Sequence, residues 1–210
     1  MHCKSAVFTN LVLSGITNMK KYKAVVIGSS AGGLNALKVL FGFLDERFTL
    51  PVIIVQHISP NAENYLIHIL NEFNKLKVKE ADEKEMPSPG MAYLAPPNYH
   101  LLIEPDCTFT LTIGERVNYA RPSIDVLFET AAEAYKDELI GIILTGANSD
   151  GSKGLKKIRD FGGLTLAQDP ETAEVDSMPR AAIQAGAAGH IMSIEEMAVL
   201  LNGISSAGTG

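Results

Sequence analysis

Two hydrophobic periods alternate along this chain. Ala24-Val25-Val26-Ile27, Leu50-Pro51-Val52-Ile53-Ile54-Val55 and Leu139-Ile140-Gly141-Ile142-Ile143-Leu144 are short, unbroken, mostly β-branched runs, the pattern of strands buried on both faces. Between them, apolar positions recur every three or four residues. Leu34, Leu37, Phe41 and Leu44 follow the first run; Ala62, Tyr65, Leu66, Ile69, Leu70 and Phe73 follow the second, behind a Ser59-Pro60 start signal. These stripes predict core-facing helices. Ser123 opens another, with Ile124, Leu127, Phe128, Ala131 and Tyr135 on one face. A helix at 152–161, a strand at 164–168, a helix at 178–185 and a strand at 189–192 come next, then a last helix whose Ser193-Ile194-Glu195-Glu196 is a capping box. The alternation predicts an α/β fold, a doubly wound and mainly parallel sheet with helices on both faces.

The period shortens between residues 78 and 113. Segments 91–94, 100–103 and 108–113 read as short strands between proline-rich turns, which predicts a short antiparallel extension beside the parallel sheet. The mixed-charge run 75–85 reads as a solvated edge. Residues 22–203 are expected to form one domain, with a disordered extension at 1–21 and a small, polar, flexible tail at 204–210. Thr9, Asn10 and Ser14 interrupt what would otherwise be a signal-peptide core, and Met19-Lys20-Lys21 is the more natural start.

Composition narrows the function. With 210 residues, 46% hydrophobic and 20% charged, the chain suits one sizeable core. A net charge of -6 without a dense basic patch argues against nucleic acid or anionic lipid as the partner, and no run has the length of a membrane span, so no direct membrane insertion is expected. Cys3 and Cys107 make neither a disulfide framework nor a metal spacing; they read as free thiols in a reducing cytoplasm. No metal-ligand cluster and no cofactor fingerprint appears.

Candidate chemistry sits at the ends of the strand runs. Gly28-Ser29-Ser30-Ala31-Gly32-Gly33 is a small-residue turn from strand to helix with a hydroxyl at its apex, the way an α/β protein presents a serine nucleophile. Glycine spacing favours Ser30 over its rival Ser29. The same turn also fits a phosphate-cradling loop of a nucleotide-binding sheet. That reading wants an acidic residue at the end of the second strand, whereas Asp45 and Glu46 follow a helix. His57 ends the second run and Asp150-Gly151 follows the third, so Ser30, His57 and Asp150 are expected to meet at the carboxyl edge of the sheet, where ligands of open α/β sheets gather. Taken singly, a histidine after a strand is more often a structural hydrogen-bonder, and an Asp-Gly before a helix is usually a turn or an N-cap; it is their joint occurrence with Ser30 that points to chemistry. His68 and His190 read as structural or exposed, and His100 is left open.

Those residues carry a family resemblance. Ile27-Gly28-Ser29-Ser30-Ala31-Gly32-Gly33, Val55-Gln56-His57, Tyr93-Leu94-Ala95-Pro96, Arg121-Pro122-Ser123-Ile124-Asp125, Leu144-Thr145-Gly146 with Asp150-Gly151, and Gly163-Leu164-Thr165-Leu166-Ala167-Gln168-Asp169 follow in order the motifs of the bacterial chemotaxis protein-glutamate methylesterases, the CheB catalytic domain. The resemblance spans residues 22–201 and implies a Ser30-His57-Asp150 triad. It also implies hydrolysis of glutamate methyl esters on the cytoplasmic helices of chemoreceptors or another methylated protein, with glutamine deamidation as a second activity. Backbone N–H groups of Ala31 and Ala147 are then candidates for the oxyanion hole. Arg121, Ser123 and Asp125 are candidates to line a shallow substrate groove, although Ser123 also suits an N-cap and Arg121 a surface ion pair.

The chain departs from the family where chemotaxis members usually carry Thr-Gly-Met-Gly: here Thr145-Gly146-Ala147-Asn148 stands, which alters the wall beside the substrate. Two-domain relatives place a phosphorylatable receiver domain ahead of the catalytic one, and about twenty residues precede the first strand here. Constitutive competence, or control by a separate regulatory protein, is therefore the expectation. A non-catalytic adaptor that binds a receptor or regulator through the same fold is the alternative.

Overall fold

The computed structural model describes residues 21–57, 63–73 and 76–207. The extension before residue 21, the Ser59-Pro60 start signal with Ala62, Cys3 and residues 208–210 lie outside them.

Seven parallel strands form one sheet in the order β3-β4-β2-β1-β7-β8-β9. They are β1 (Ala24–Ser29), β2 (Val52–Gln56), β3 (Lys77–Glu80), β4 (Met91–Leu94), β7 (Leu139–Ile143), β8 (Leu164–Gln168) and β9 (His190–Met192). A separate antiparallel hairpin is made of β5 (His100–Ile103) and β6 (Phe109–Thr112). The helices are α1 (Gly33–Gly42), α2 (Glu63–Phe73), α3 (Ile124–Tyr135), α4 (Ser152–Asp160), α5 (Ser177–Gln184) and α6 (Ile194–Ala207). Strand β1 shows why the sheet is doubly wound. Val25 and Ile27 point to one face, under α1 and α6, while Ala24 and Val26 point to the other, under α3 and α4. Both faces are therefore buried, each side chain of the Val or Ile class contributing roughly 1.5–3 kcal/mol of burial free energy.

Three expectations change. Residues 91–94 pair in parallel with β2 and β3, so β4 belongs to the main sheet and the antiparallel part is the β5-β6 hairpin alone. Within the mixed-charge run, Lys77–Glu80 is the edge strand β3: Val78 packs into the core while Lys79 bonds Asp82 and Glu85. Alternation over four residues was too short to read as a strand against the surrounding charge. The tail is also shorter than expected, because α6 runs on to Ala207, with Ile204 and Ser205 buried and the Ser205 hydroxyl accepting from the Thr49 N–H at 2.9 Å. At the other end of α6 the capping box forms reciprocally: Ser193 N–H donates to Glu196 Oε2 at 2.9 Å, and Glu196 N–H to Ser193 Oγ at 3.3 Å.

The strand order places the site. From β1 the chain moves through α1 to β2 on one side, and β7 lies on the other, so the order reverses between β1 and β7. A crevice outside the carboxyl ends at such a reversal is where these sheets bind ligands. Ser29 pairs with Gln56 and Gly28 with Ile143, which brings the three chain ends leaving β1, β2 and β7 to one level.

Candidate active site

The turn after β1 is tightly constrained. Gly32 takes a left-handed conformation, φ 78°, to start α1, and a Cβ on Gly33 would lie 1.9 Å from Gln56 Oε1, so only glycine lets the helix begin this close to β2. Ser29 is fully buried and its hydroxyl donates to Gln56 Oε1 at 2.5 Å, so it does not reach the cleft. Ser30 lies beyond the strand end and faces a cleft of about 390 Å³ that it shares with His57, Asn148, Arg116, Tyr119 and Arg121. Gln56 ties this turn to the histidine. Its Nε2 donates to Ser30 O at 2.8 Å and to His57 O at 2.9 Å, and the His57 N–H donates to Ser29 O at 3.0 Å. Among the described residues the N–H groups of Ala31 and Ala147 have no hydrogen-bond partner.

His57 Nε2 lies 3.0 Å from Asp150 Oδ2. Asp150 is fully buried and receives four further donors: Ile124 N–H on Oδ2 at 2.7 Å, and Asn118 Nδ2 at 2.8 Å, Ser123 Oγ at 2.9 Å and Asp125 N–H at 3.2 Å on Oδ1. Burial alone would raise its carboxyl. The hydrogen bonds from His57, Asn118, Ile124 and Asp125 outweigh burial and hold it below the ordinary carboxylate range. An ionised Asp150 accepts from His57 Nε2–H, which leaves the Nδ1 lone pair as the basic site of the ring. Asp150 also caps α3: the first N–H groups of that helix point at its carboxylate, where the helix dipole favours negative charge.

This arrangement relocates two of the expected groove residues. Ser123 and Asp125 are 0% and 3% exposed, so their side chains do not line the cleft. Ser123 is the residue preceding α3, yet its hydroxyl bonds Asp150 rather than capping its own helix. Asp125 accepts from Gly154 N–H at 2.8 Å on α4 and from Asn118 Nδ2 at 2.8 Å; burial, with the Asp150 charge nearby, holds its carboxyl above the ordinary range despite those donors. Arg121 does line the cleft. Its Nη1 donates to Ile113 O and Gly114 O, each at 2.8 Å, rather than to a carboxylate. The 113–121 segment it braces ends in a two-residue turn, Val117 to Ala120, with Asn118 and Tyr119 both at positive φ and Tyr119 96% exposed at the lip. His100, left open by the sequence, is buried and pins this segment, its Nε2 bonding Glu115 O at 2.9 Å and its Nδ1 accepting from Ser123 N–H at 3.2 Å.

The family model described as CheB methylesterase matches residues 25–201. This chain belongs to the CheB methylesterase family. A Leptospira interrogans protein provisionally named protein-glutamate methylesterase/protein-glutamine glutaminase is 56% identical over 179 residues, covering 85% of this chain and 93% of that protein. A Thermotoga maritima protein-glutamate methylesterase/protein-glutamine glutaminase is 38% identical over 173 residues, 81% of this chain but 50% of the relative. The crystal structure of the Thermotoga maritima CheB methylesterase catalytic domain matches with a TM-score of 0.83 at 36% identity, covering 87% of this chain and 98% of that one. The sheet, its order and the hairpin are thus those of a methylesterase catalytic domain.

Three residues that organise the candidate site carry no functional assignment from sequence. Gln56 stands in the Val55-Gln56-His57 motif as a polar residue ending an apolar strand, the one sequence signal that could have marked it, and the structure buries it. Asn118 lies in a loop with no periodic pattern, yet its amide bridges Asp125 and Asp150. Asn148 was noticed as a departure from the family. Its side chain reaches His57 Nδ1 at 3.3 Å while its Oδ1 accepts the Asp150 N–H at 3.0 Å. Among the described residues no helix is long and apolar enough to cross a membrane.

Proposed function

We propose that this chain is a serine hydrolase that converts glutamate methyl esters on a methylated protein, the cytoplasmic helices of chemoreceptors, to glutamate and methanol, and deamidates glutamine at the same centre. The observation that carries the reading is the His57–Asp150 pair at 3.0 Å, whose imidazole shares one cleft with Ser30 within a CheB methylesterase domain. Ser30 is the nucleophile, His57 the general base, and Asp150 the group that holds the imidazole with its proton on Nε2.

The chemistry follows from what an ester demands. A neutral hydroxyl is a weak nucleophile, so Ser30 Oγ gives its proton to His57 Nδ1 as it attacks the ester carbonyl, and Asp150 stabilises the imidazolium formed. Negative charge then develops on the carbonyl oxygen. The free N–H groups of Ala31 and Ala147 are the donors proposed to receive it, each such donor lowering the barrier by about 2.7–4 kcal/mol. Collapse expels methanol, protonated from Nδ1–H, and leaves a glutamyl ester of Ser30. Water, giving its proton to the same nitrogen, cleaves that ester to glutamate and restores Ser30. With glutamine the leaving group is ammonia. The cleft is bordered by the exposed ring of Tyr119 and by Arg116 and Arg121, which suits a side chain presented on a protein surface.

The deciding experiment measures methanol release from methylated receptor fragment by the native chain, Ser30→Ala and Ser29→Ala. Ser30→Ala is expected to stay folded and retain only the roughly 10³- to 10⁴-fold over water that binding and the oxyanion site supply. Ser29→Ala keeps a substantial share of the rate. The reverse ranking refutes the assignment, and a folded native chain with no turnover on the fragment or on a simple ester favours the adaptor reading.

A further inference from the structure

We propose that Asn148 is a positioning residue that latches the general base: its carboxamide N–H occupies the His57 Nδ1 lone pair at rest and must leave before Ser30 can donate there. The inference rests on the role given to His57 above. Asn148 Oδ1 accepts the Asp150 N–H at 3.0 Å, closing a turn of the Asx type, and this fixes which end of the carboxamide is which. Nδ2 is therefore the atom 3.3 Å from His57 Nδ1. The ring is fixed as well, because its Nε2 faces the ionised, buried Asp150 and carries the proton. A donor thus meets a lone pair, and that lone pair is the acceptor of the catalytic proton.

Two consequences follow. With Nδ1 accepting from Asn148, Nε2–H is locked toward Asp150, so the tautomer needed for catalysis is selected before substrate arrives. Once Nδ1 takes the Ser30 proton, two donors would face each other, so Asn148 must swing out into the cleft that it lines. The contact is long and Asn148 is exposed, which suits a latch that opens at modest cost. Among the described residues, the charged groups facing His57 are the buried Asp150, bonded to Nε2 from the β7–α4 loop, and Arg116 and Arg121 of the 113–121 segment, which line the same cleft. The substitutions below leave all three in place.

Asn148→Ser keeps an oxygen to accept the Asp150 N–H and removes the donor to Nδ1. With p-nitrophenyl acetate at the alkaline plateau, kcat/KM is expected to rise about two- to tenfold, the size of one released hydrogen bond. Nitrogen-15 NMR of the resting protein should show the His57 Nδ1 resonance leaving its hydrogen-bonded position while Nε2 stays protonated. Asn148→Asp keeps the turn but sets a carboxylate beside Nδ1, which favours the imidazolium and moves the acid limb of the rate profile to higher pH. Loss of the turn alone moves neither readout in these directions. An unchanged Nδ1 resonance in Asn148→Ser, or a plateau rate unchanged or lower, overturns the latch. Because the NMR reading needs no turnover, it decides the matter even if Ser30 proves not to be the nucleophile.

Discussion

Replacing Asp150 with Asn tests the site and the fold together. The carboxylate accepts two donors on Oδ2, from His57 Nε2 and Ile124 N–H, and three on Oδ1, from Asn118, Ser123 and Asp125 N–H. A carboxamide keeps one oxygen. The less costly orientation leaves that oxygen to the three donors and turns its NH₂ toward the other two. Ile124 N–H, 2.7 Å away, then faces a donor inside a buried pocket, at a cost of about 1–3 kcal/mol. The other bonds lose charge assistance, roughly another 1 kcal/mol, while no longer burying a charge returns a similar amount. The net expectation is destabilisation by about 1–3 kcal/mol, a fall in Tm of about 2–4 °C per kcal/mol for a domain of this size. Turnover suffers far more. His57 Nε2 must become the acceptor, the proton moves to Nδ1, and Ser30 meets an N–H where it needs a lone pair; tautomer reversal of this kind costs about 10⁴ in kcat.

The pH dependence supplies the sign. Asp150 titrates below its ordinary value in the folded chain, so between the folded value and the unfolded value near about 3.9 the unfolded chain binds more protons and stability rises with pH. Its contribution is complete above the unfolded value and is lost as pH falls through the folded one. Urea unfolding should therefore show a constant gap between native and Asp150→Asn from neutral pH down to about 5, closing only in stronger acid. Asp125 works in the opposite sense, since its carboxyl is raised: the folded chain holds that proton more tightly, and its unfavourable contribution is relieved as pH falls through the raised value. The reasoning is refuted if Asp150→Asn unfolds within about 0.5 kcal/mol of the native chain at neutral pH. A kcat above about a tenth of native refutes the catalytic half.

Two further substitutions separate positioning from stability. Gln56→Ala removes the carboxamide that joins Ser29 Oγ, Ser30 O and His57 O, and is expected to lower kcat by about 10- to 100-fold through misplacement of nucleophile and base, with KM changing less; steady-state kinetics on methylated fragment check this. Ser193→Ala breaks the capping box of α6, away from the cleft, and should cost about 0.5–2 kcal/mol in urea unfolding while leaving kcat unchanged.

What could be read from sequence was whatever a period or a strand end encodes. Val25 to Ile27 and Ile140 to Ile143 are apolar without interruption because both faces of their strands are buried, and the polar residues just beyond them fall at the carboxyl edge by construction. The parallel pairing of Met91–Leu94 was not legible, since four residues between prolines carry no information about which neighbour they will meet. Nor were Asn118 and Gln56, whose roles depend on partners 32 and 26 or 27 residues away.

Ser123 and Asp125 were misplaced for a related reason. Their motif marks the start of α3, and a helix start can face substrate or face inward to a carboxylate. Here Asp150 decides it, accepting from Ile124 N–H, Asp125 N–H and the Ser123 hydroxyl on one side and from His57 on the other. The ion proposed to orient the base is thus also the cap of α3, the helix whose Phe128 meets Gly154 of α4. No substitution at Asp150 can touch the chemistry alone. Rate and stability are expected to fall together there, whereas at Ser30, which lines the cleft, the rate is expected to fall by itself, and that contrast would separate the proposed nucleophile from a residue shared by site and fold.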